Sequence, residues 1–253
     1  LLAPPPVSAL VPAVSGVPAG VFTLPKVTIY IYGGEYLLSN DVTGCLIWVA
    51  AATILIASMV AMTQDNLKAR LAYSTVSQLS YIVLGAMLAS KAGLIGASMH
   101  IAMHAFAKIT LFFGAGAIFV ASHKKRVSEL DGLGRAMPVT FVAFFIGTLS
   151  IIGLPPFGGM WSKWYLALGA VETAQLLLLA VLMISSLLNI IYLLPIPIRA
   201  FFSKPASGEH YTAIAEAPKP MLLAMVITSS ACVILFFYPD PFYRLAGLAA
   251  GGY

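Results

Sequence analysis

Long uninterrupted runs of apolar residues dominate the chain, and short polar breaks separate them. A membrane-crossing helix needs about 20 consecutive apolar residues to span the hydrocarbon core of a bilayer. Strands are not indicated, because alternation with a period of two is absent and the runs exceed the length of a barrel strand. The pattern therefore predicts seven transmembrane spans, at roughly 7–32, 43–63, 70–89, 93–122, 137–168, 173–203 and 220–238.

The composition agrees with a membrane protein and excludes an ordinary soluble domain. Of the 253 residues, 60% are hydrophobic and only 9% are charged, against roughly 25% charged in a typical soluble domain. So few charges cannot cover a water-facing surface. The predicted fold class is all-α: one polytopic transmembrane bundle over residues 1–253, with about seven spans and one or two discontinuous helices.

Two of the predicted spans contain helix-breaking residues. The first includes Pro12, Pro18 and Pro25, each of which lacks a backbone donor and clashes with the preceding turn. The fifth contains the run Gly153-Leu-Pro-Pro-Phe-Gly-Gly159, which should end one helix and start another. Irregular backbone at membrane depth is tolerated only where protein or a wet cavity covers it, and such breaks often mark transport sites.

Basic residues are concentrated in alternate loops, which predicts the orientation of the chain. Nine of the 14 lysines and arginines lie in the loops at 64–70, 123–136 and 199–219. Because cytoplasmic loops carry an excess of lysine and arginine, we expect these loops to be cytoplasmic. The first residues would then be cytoplasmic and the last outside, in a bacterial plasma membrane.

Several classes of chemistry are not indicated. Cys45 and Cys232 lie in separate apolar stretches and offer no pair for zinc or an iron–sulfur cluster. A phosphate-binding loop and a dinucleotide fingerprint are also missing from the sequence. The net charge of +5 comes from residues that flank apolar spans, which is typical of membrane topology rather than nucleic-acid binding. We therefore expect no cofactor, no metal, no nucleic-acid partner and no catalytic or redox site.

The strongest candidate for function is a stripe of ionisable residues in the fourth span. His100, His104 and Lys108 follow an i, i+4, i+8 spacing, so they share one face of a helix over about 12 Å. A lysine near the middle of a span costs about 2.5–3.5 kcal/mol to insert. Such a group should face the bundle interior, and beside imidazoles it is suited to proton relay. Ordinary packing of buried histidines is the alternative.

A second lysine follows the predicted break in the fifth span. Lys163 would lie close to backbone groups that the break frees. The alternative is a snorkelling lysine within an aromatic belt formed by Trp161, Trp164 and Tyr165. Lys26, towards the outer end of the first span, is better explained by snorkelling.

Polar side chains in the third span could line a chain of water molecules. Ser74, Gln78 and Tyr81 share a face by their i+4 and i+3 spacing. The alternative is ordinary interhelical hydrogen bonding. The same two interpretations apply, with less weight, to Asn189 with Ser185 and Ser186. The run 122–126 is expected to be a solvated cytoplasmic loop, which could also contact anionic lipid headgroups.

Three motifs in order resemble the antiporter-like membrane subunits of respiratory complex I, Mrp-type cation/proton antiporters and membrane-bound hydrogenases. The residues that carry the resemblance are Asp65-Asn-Leu-Lys-Ala-Arg-Leu-Ala-Tyr-Ser-Thr-Val-Ser-Gln-Leu79, His100-Ile-Ala-Met-His-Ala-Phe-Ala-Lys108 and Gly153-Leu-Pro-Pro-Phe-Gly-Gly-Met-Trp-Ser-Lys163. Pro6-Val-Ser-Ala-Leu10 is similar to the start of another helix in that family. The run Trp-Ser-Lys-Trp is most similar to the D-type antiporter subunits of the Mrp branch.

The resemblance implies a fold of about fourteen helices with two inverted five-helix repeats, and a proton path through lysines and histidines. It assigns Lys108 as the central proton carrier, His100 and His104 as relay neighbours, and Lys163 as the terminal carrier. It also implies that the chain is the C-terminal half of a larger subunit. Pro12 and Pro18 depart from the family, which usually has a histidine and a lysine there, so transport through the first span is in doubt.

The leading hypothesis is a proton-conducting subunit of a monovalent cation/proton antiporter, with other membrane subunits as partners and Na⁺ or K⁺ as the candidate coupled ion. The alternative is a proton-pumping membrane subunit of a NADH:quinone oxidoreductase or a membrane-bound hydrogenase. A seven-helix receptor or retinal pigment is disfavoured, because the charge bias places the first residues inside and the span at 220–238 has no lysine for a Schiff base. A structural scaffold is disfavoured because scaffolds rarely retain buried ionisable groups.

Overall fold

The computed structural model describes residues 16–27, 31, 41–205 and 214–251. Within these residues the chain forms ten α-helices and two short 3-10 turns, with no strand. The helices are α1 Gly16–Val27, α2 Asp41–Thr63, α3 Leu67–Met87, α4 Lys91–Ser122, α5 Pro138–Ile152, α6 Gly159–Glu172, α7 Leu176–Leu193, α8 Pro195–Phe202, α9 Lys219–Phe237 and α10 Asp240–Ala249.

Several of these helices are built to cross a membrane. Four stretches of the described residues are long and apolar enough: Thr43–Thr63, Lys91–Ser122, Leu176–Phe202 and Lys219–Phe237. Helix α5 is apolar but shorter. Helix α3 has the length but begins with Lys68 and Arg70 and carries many hydroxyl side chains. The prediction of an all-α transmembrane bundle is confirmed.

The central element of the bundle is α4, a helix of 32 residues. It packs against α3, α5, α6, α9 and α10. In its most apolar stretch 56% of the residues are buried, against 33% in α2 and 22% in α9. Side chains near the middle of α4 therefore face protein rather than lipid.

The predicted breaks are confirmed in one span and not in another. The fifth span divides into α5 and α6 at Gly153, as its glycine- and proline-rich run predicts. The expected breaks at Pro18 and Pro25 are wrong, because α1 is continuous through both. Pro18 lies in the first turn, where a missing N–H costs little. Pro12 lies outside the described residues.

Two features of the last third of the chain were not predicted. The sixth span is interrupted at Leu194, because Pro195 cannot donate a backbone hydrogen bond within the helix and α8 starts there. Helix α10 follows the last span directly after Tyr238 and Pro239.

The three basic loops meet at one end of the bundle. Asn66 forms an isolated antiparallel bridge with Arg126. The guanidinium group of Arg199 binds the carboxylate of Asp131 through two hydrogen bonds of 2.8 and 2.7 Å. The backbone N–H of Ala215 donates to the carbonyl of Ala136 at 2.9 Å. The charge pattern and the packing therefore agree that these loops share one side.

Asp65 ties two of these loops together. Its carboxylate accepts hydrogen bonds from the backbone N–H and the hydroxyl of Ser128 at 3.0 and 2.8 Å, and its carbonyl accepts from Val127 at 2.7 Å. Partial burial alone would raise the pKa of Asp65, but the bonds from Ser128 and the charges of Arg126 and Arg70 lower it below the ordinary 3.8. These contacts hold the loop that follows α4 against the segment that precedes α3.

Glycines allow α4 and α6 to approach closely. A Cβ atom on Gly96 would lie 2.6 Å from the backbone nitrogen of Leu166 and 2.9 Å from the backbone carbon of Tyr165. A Cβ atom on Gly169 would lie 2.6 Å from Cα of Gly93. This contact fixes α6, and with it the residues that follow the helix break, against the central helix.

Gly96→Ala should reduce the thermal stability of the protein in detergent. The added methyl group would meet backbone atoms of α6 that cannot rotate away, and overpacking of this kind costs typically 1–3 kcal/mol. Gly44→Ala is the matched control, because a Cβ there meets nothing within 4 Å and alanine favours a helix more than glycine does. Equal melting temperatures for the two variants would contradict this packing.

Asp65→Ala should lower the melting temperature slightly at neutral pH, because the ionised carboxylate holds Ser128. Since the pKa of Asp65 is depressed in the folded chain, its contribution is present above the ordinary value of 3.8 and is lost as the pH falls through the folded pKa. The effect is small because the group is exposed. The check is thermal unfolding of both proteins across the acidic range; a difference that grows towards low pH would contradict the interaction.

Candidate functional site

The three ionisable residues of α4 form one buried stripe, as their spacing predicts. His100, His104 and Lys108 are only 2%, 3% and 0% exposed. The two imidazole rings stack with their centroids 5.7 Å apart and their planes 27° from parallel. The stripe therefore faces the interior of the bundle, where all three groups are withdrawn from water and lipid.

The ammonium group of Lys108 is held by α3. Its Nζ donates to the carbonyl of Leu71 at 3.2 Å and to the hydroxyl oxygen of Ser74 at 2.7 Å. Both acceptors are neutral oxygens, so the charge of Lys108 is stabilised by dipoles rather than by a carboxylate. A positive charge held in this way can be lost as a proton without leaving an unpaired buried anion behind.

Helices α3 and α4 run antiparallel, and their register sets polar residues opposite one another. Ser74 contacts Lys108, and the ring of Tyr81 stacks on His100 with centroids 5.7 Å apart. The same register places Gln78 opposite His104. Neither amide atom of Gln78 nor Nε2 of His104 has a hydrogen-bond partner within the described residues, although all are buried.

The other imidazole is bound by the first turns of α6. Nδ1 of His100 lies 2.8 Å from the hydroxyl oxygen of Ser162, and that hydroxyl donates to the carbonyl of Gly159 at 3.0 Å. Since the proton of Ser162 is used there, its oxygen accepts from Nδ1–H of His100. This leaves Nε2 of His100 as a buried acceptor without a partner among the described residues.

Lys163 binds to the C-terminal end of α5 at the helix break. Its Nζ donates to the carbonyl of Ile152 and to the hydroxyl oxygen of Ser186, both at 3.1 Å. The last carbonyls of a helix lack intrahelical donors and carry partial negative charge, which stabilises a cation. Gly153 adopts φ +87° and leaves room for the lysine, because a Cβ there would lie 2.8 Å from Cδ of Lys163.

Tyr81 joins the two lysine environments. Besides stacking on His100, its ring lies beneath the ammonium of Lys163, 5.1 Å from Nζ to the ring centroid. Its hydroxyl donates to the carbonyl of Leu182 at 3.4 Å. The predicted residues Lys108, His104 and His100 thus lie on one buried face of α4, and Tyr81 connects His100 to Lys163.

The remaining predicted residues divide between this region and the periphery. Ser74 and Ser186 bind the two lysines, whereas Ser185 joins a hydroxyl cluster with Ser58, 3.2 Å away. Lys26 is exposed, and its Nζ lies over the ring of Phe22, 5.8 Å from the centroid. Trp164 is 53% exposed, while Trp161 donates to the carbonyl of Phe236 at 2.9 Å.

Sequence reasoning missed two residues of the site. Ser162 precedes Lys163 in the chain, but nothing in the sequence indicates that it binds His100. Tyr192 bonds to Ser74 at 3.0 Å and also to Asn189. Its position three residues after Asn189, on the same helical face, was the available signal.

The family model described as "NADH:quinone oxidoreductase/Mrp antiporter, TM" matches residues 1–189. The chain belongs to this family. It is 38% identical over 205 residues to NADH-quinone oxidoreductase subunit N of Desulforudis audaxviator, covering 76% of this chain and 40% of that protein. It is 34% identical over 238 residues to subunit L of Mycobacterium tuberculosis, covering 91% and 36%. The chain therefore spans about two fifths of the length of these curated relatives.

The fold is also found in a solved Mrp complex. The structure of the Mrp complex from a Dietzia species matches with a TM-score of 0.85 and 23% identity, over 97% of this chain and 53% of that chain. The family membership and this fold establish an integral membrane protein.

Ser162→Ala should destabilise the protein, because it leaves the buried Nδ1–H of His100 without an acceptor. Such a loss typically costs about 1–3 kcal/mol. The check is thermal unfolding in detergent, with Ser80→Ala as the control, since Ser80 binds only the carbonyl of Val76 in its own helix. The effect should largely disappear in a His100→Leu background; an unchanged effect there would show that Ser162 acts elsewhere.

Proposed function

We propose that this chain is part of a proton-translocating membrane subunit, in which protons pass along Lys108, His104, His100 and Lys163. The observation that supports this most is the buried stripe of α4, which continues through Tyr81 to a second lysine at a broken helix. Ionisable residues in membrane interiors are costly and typically mark ion pathways.

The hydrogen bonds around the two lysines favour transfer rather than permanent pairing. All described acceptors of Lys108 and Lys163 are carbonyl or hydroxyl oxygens. Each amine can therefore alternate between charged and neutral forms without breaking an ion pair. Protonation of one amine raises the electrostatic cost of charging the groups next to it, so the stripe disfavours several charges at once.

Water would complete the route between Lys108 and the imidazoles. Lys108 lies four residues from His104, which is about 6 Å along the helix, too far for direct proton transfer. Gln78 lies opposite His104. Its amide, which has no partner among the described residues, can orient one or two water molecules towards Nε2 of His104. The polar face of Ser74, Gln78 and Tyr81 then serves as the lining of a water chain, in addition to its interhelical contacts.

The assembly we favour is a monovalent cation/proton antiporter of the Mrp type, with other membrane subunits as partners. The Trp-Ser-Lys-Trp sequence around Lys163 and the likeness to an Mrp complex support it. The alternative, a proton-pumping subunit of a NADH:quinone oxidoreductase or membrane-bound hydrogenase, is favoured by the relatives of the subunit N and subunit L type. Sodium-dependent proton exchange without redox cofactors would separate the first from the second.

The orientation we propose places the shared end of the three basic loops in the cytoplasm. This end includes the Asp65 contact with Ser128 and the Asp131–Arg199 ion pair, with an N···O distance of 2.7 Å. An excess of lysine and arginine favours the cytoplasmic side. The exposed apolar side chains of α2, α7 and α9 would then contact lipid or neighbouring membrane subunits.

Lys108→Ala should abolish proton transport while the complex still assembles. The substitution removes the amine that carries the proton and also removes the cost of burying a charge, so folding is preserved. The measurement is proton flux in membrane vesicles that contain the complete assembly, with complex integrity checked by native gel electrophoresis.

The matched control is Lys91→Ala, because Lys91 is exposed at the first turn of the same helix. It should leave flux close to the unsubstituted level. Normal flux in an assembled Lys108→Ala complex would overturn the proposed function.

A further inference from the structure

Two residues of α7 control the hydroxyl group that binds Lys108. Asn189 and Tyr192 are buried, with 0% and 1% exposure. The hydroxyl of Tyr192 is placed to donate to the hydroxyl oxygen of Ser74, 3.0 Å away, and also to Oδ1 of Asn189. Ser74 in turn accepts from Nζ of Lys108 at 2.7 Å. The four residues form one hydrogen-bonded chain.

The chemistry of these groups sets the directions that the hydrogen-bonded chain can take. A phenol carries one hydrogen, and the amide oxygen of Asn189 can only accept. The hydroxyl of Tyr192 is placed to donate to Ser74 and to Asn189, but it can donate to only one of them at a time. While it donates to Asn189, the hydroxyl of Ser74 can donate to Tyr192 and present a lone pair to Lys108. In that arrangement every donor points away from the ammonium group.

We propose that Tyr192 and Asn189 are positioning residues that hold Ser74 as an acceptor and thereby stabilise the charged form of Lys108. This inference rests on the proposed function, and it adds two residues of α7 to the proton-carrying stripe of α4. A carbonyl, that of Leu71, and one hydroxyl are the described acceptors of this ammonium. The direction of a single hydroxyl therefore decides a large share of its stabilisation.

The titratable groups around Lys108 make the Ser74 hydroxyl more important as an acceptor for the ammonium group. The buried or half-buried titratable side chains on the helices around this region include Arg70 and Tyr81 on α3, His100 and His104 on α4, Lys163 on α6, Tyr192 on α7 and Cys232 on α9, while α5 carries none. The carboxylates described on the helices lie at their ends, at Asp41, Glu172 and Asp240. Among the described helices, no acidic group is thus placed to take over the role of Ser74.

The direction of these hydrogen bonds can reverse when Lys108 is neutral. Nδ2 of Asn189 is buried and has no partner among the described residues. Rotation of this amide by half a turn would present Nδ2–H to the oxygen of Tyr192. Tyr192 would then donate to Ser74, and Ser74 would donate to the free amine. Each direction of the hydrogen-bonded chain suits one charge state of Lys108. The hydrogen bonds can therefore reorient when Lys108 gains or loses a proton.

The backbone near Tyr192 is fixed from the basic end of the bundle. Nη1 of Arg70 donates to the carbonyl of Tyr192 at 3.2 Å, and its Nε donates to the carbonyl of Gln64 at 2.8 Å. This holds the end of α7 against α3 while leaving the Tyr192 hydroxyl free to exchange partners. The reversal therefore requires the side-chain amide of Asn189 to turn, with no movement of the helices.

A double-mutant cycle on the complete assembly tests the connection through Ser74. We expect Tyr192→Phe to reduce proton flux about tenfold when Ser74 is present, and less than twofold in a Ser74→Ala background. A purely structural role for Tyr192 would give the same reduction in both backgrounds. Additive effects, or normal flux in Tyr192→Phe, would overturn the inference.

Substitutions of Asn189 separate its acceptor role from packing. Asn189→Gln keeps a neutral amide oxygen as an acceptor for Tyr192 and should retain at least half of the flux, whereas the apolar Asn189→Leu should lose about tenfold. If Asn189 only fills space, the leucine variant would support as much flux as the glutamine variant or more, and that result would overturn the inference. Both variants are compared at equal amounts of assembled complex.

The Lys108→Ala variant distinguishes failure of this inference from failure of the proposed function. Normal flux in Lys108→Ala removes the function itself. Loss of flux in Lys108→Ala together with normal flux in Tyr192→Phe leaves the relay intact and rejects only the role of α7.

Discussion

The structure depends on keeping two ammonium groups inside a membrane protein, with neutral oxygens as the described acceptors of both. Burying a cation is costly, and nearby oxygen dipoles must replace the lost water. The fold supplies them in two ways. For Lys163 it breaks a helix, so that the carbonyl of Ile152 has no intrahelical donor and accepts from the amine. For Lys108 it uses a carbonyl and a hydroxyl on the neighbouring helix. Both arrangements allow the lysine to release its proton, whereas pairing with a carboxylate would hold the proton on the amine.

The long central helix makes these arrangements possible, because α4 is surrounded by five other helices along its length. Its glycines bring backbone close to backbone, so α6 lies near enough for Ser162 to reach the imidazole of His100. At the basic end, Asp65 and Arg199 join loops that connect different helices. Charged contacts are thus concentrated at the bundle surface, while the interior contains amines, imidazoles and neutral oxygens. The outer contacts fix the loops, whereas the inner contacts surround the two lysines with neutral acceptors.

Local patterns predicted much of this, and pairings between distant segments could not be predicted. The i, i+4, i+8 spacing was enough to place His100, His104 and Lys108 on one buried face, since it depends only on helical geometry. The glycine and proline run was enough to place the break before Lys163. The contact of Ser74 with Tyr192 joins residues 118 positions apart, and it depends on how α3 and α7 pack. Pro195 was overlooked because the apolar run continues across it, and α10 because it is short and partly charged.

Lys163 and His100 are connected more closely than their separation in the chain suggests. Ser162 and Lys163 are neighbours on the first turns of α6; one binds His100 and the other binds the end of α5. Tyr81 contacts both sides, since its ring stacks on His100 and lies beneath the ammonium of Lys163. When Lys163 loses its charge, its attraction to the carbonyl of Ile152 and to the ring of Tyr81 weakens together. A shift at the start of α6 would then reach His100 through the hydrogen bond of Ser162. The helix break therefore connects Lys163 with His100 both electrostatically and through one short helical segment.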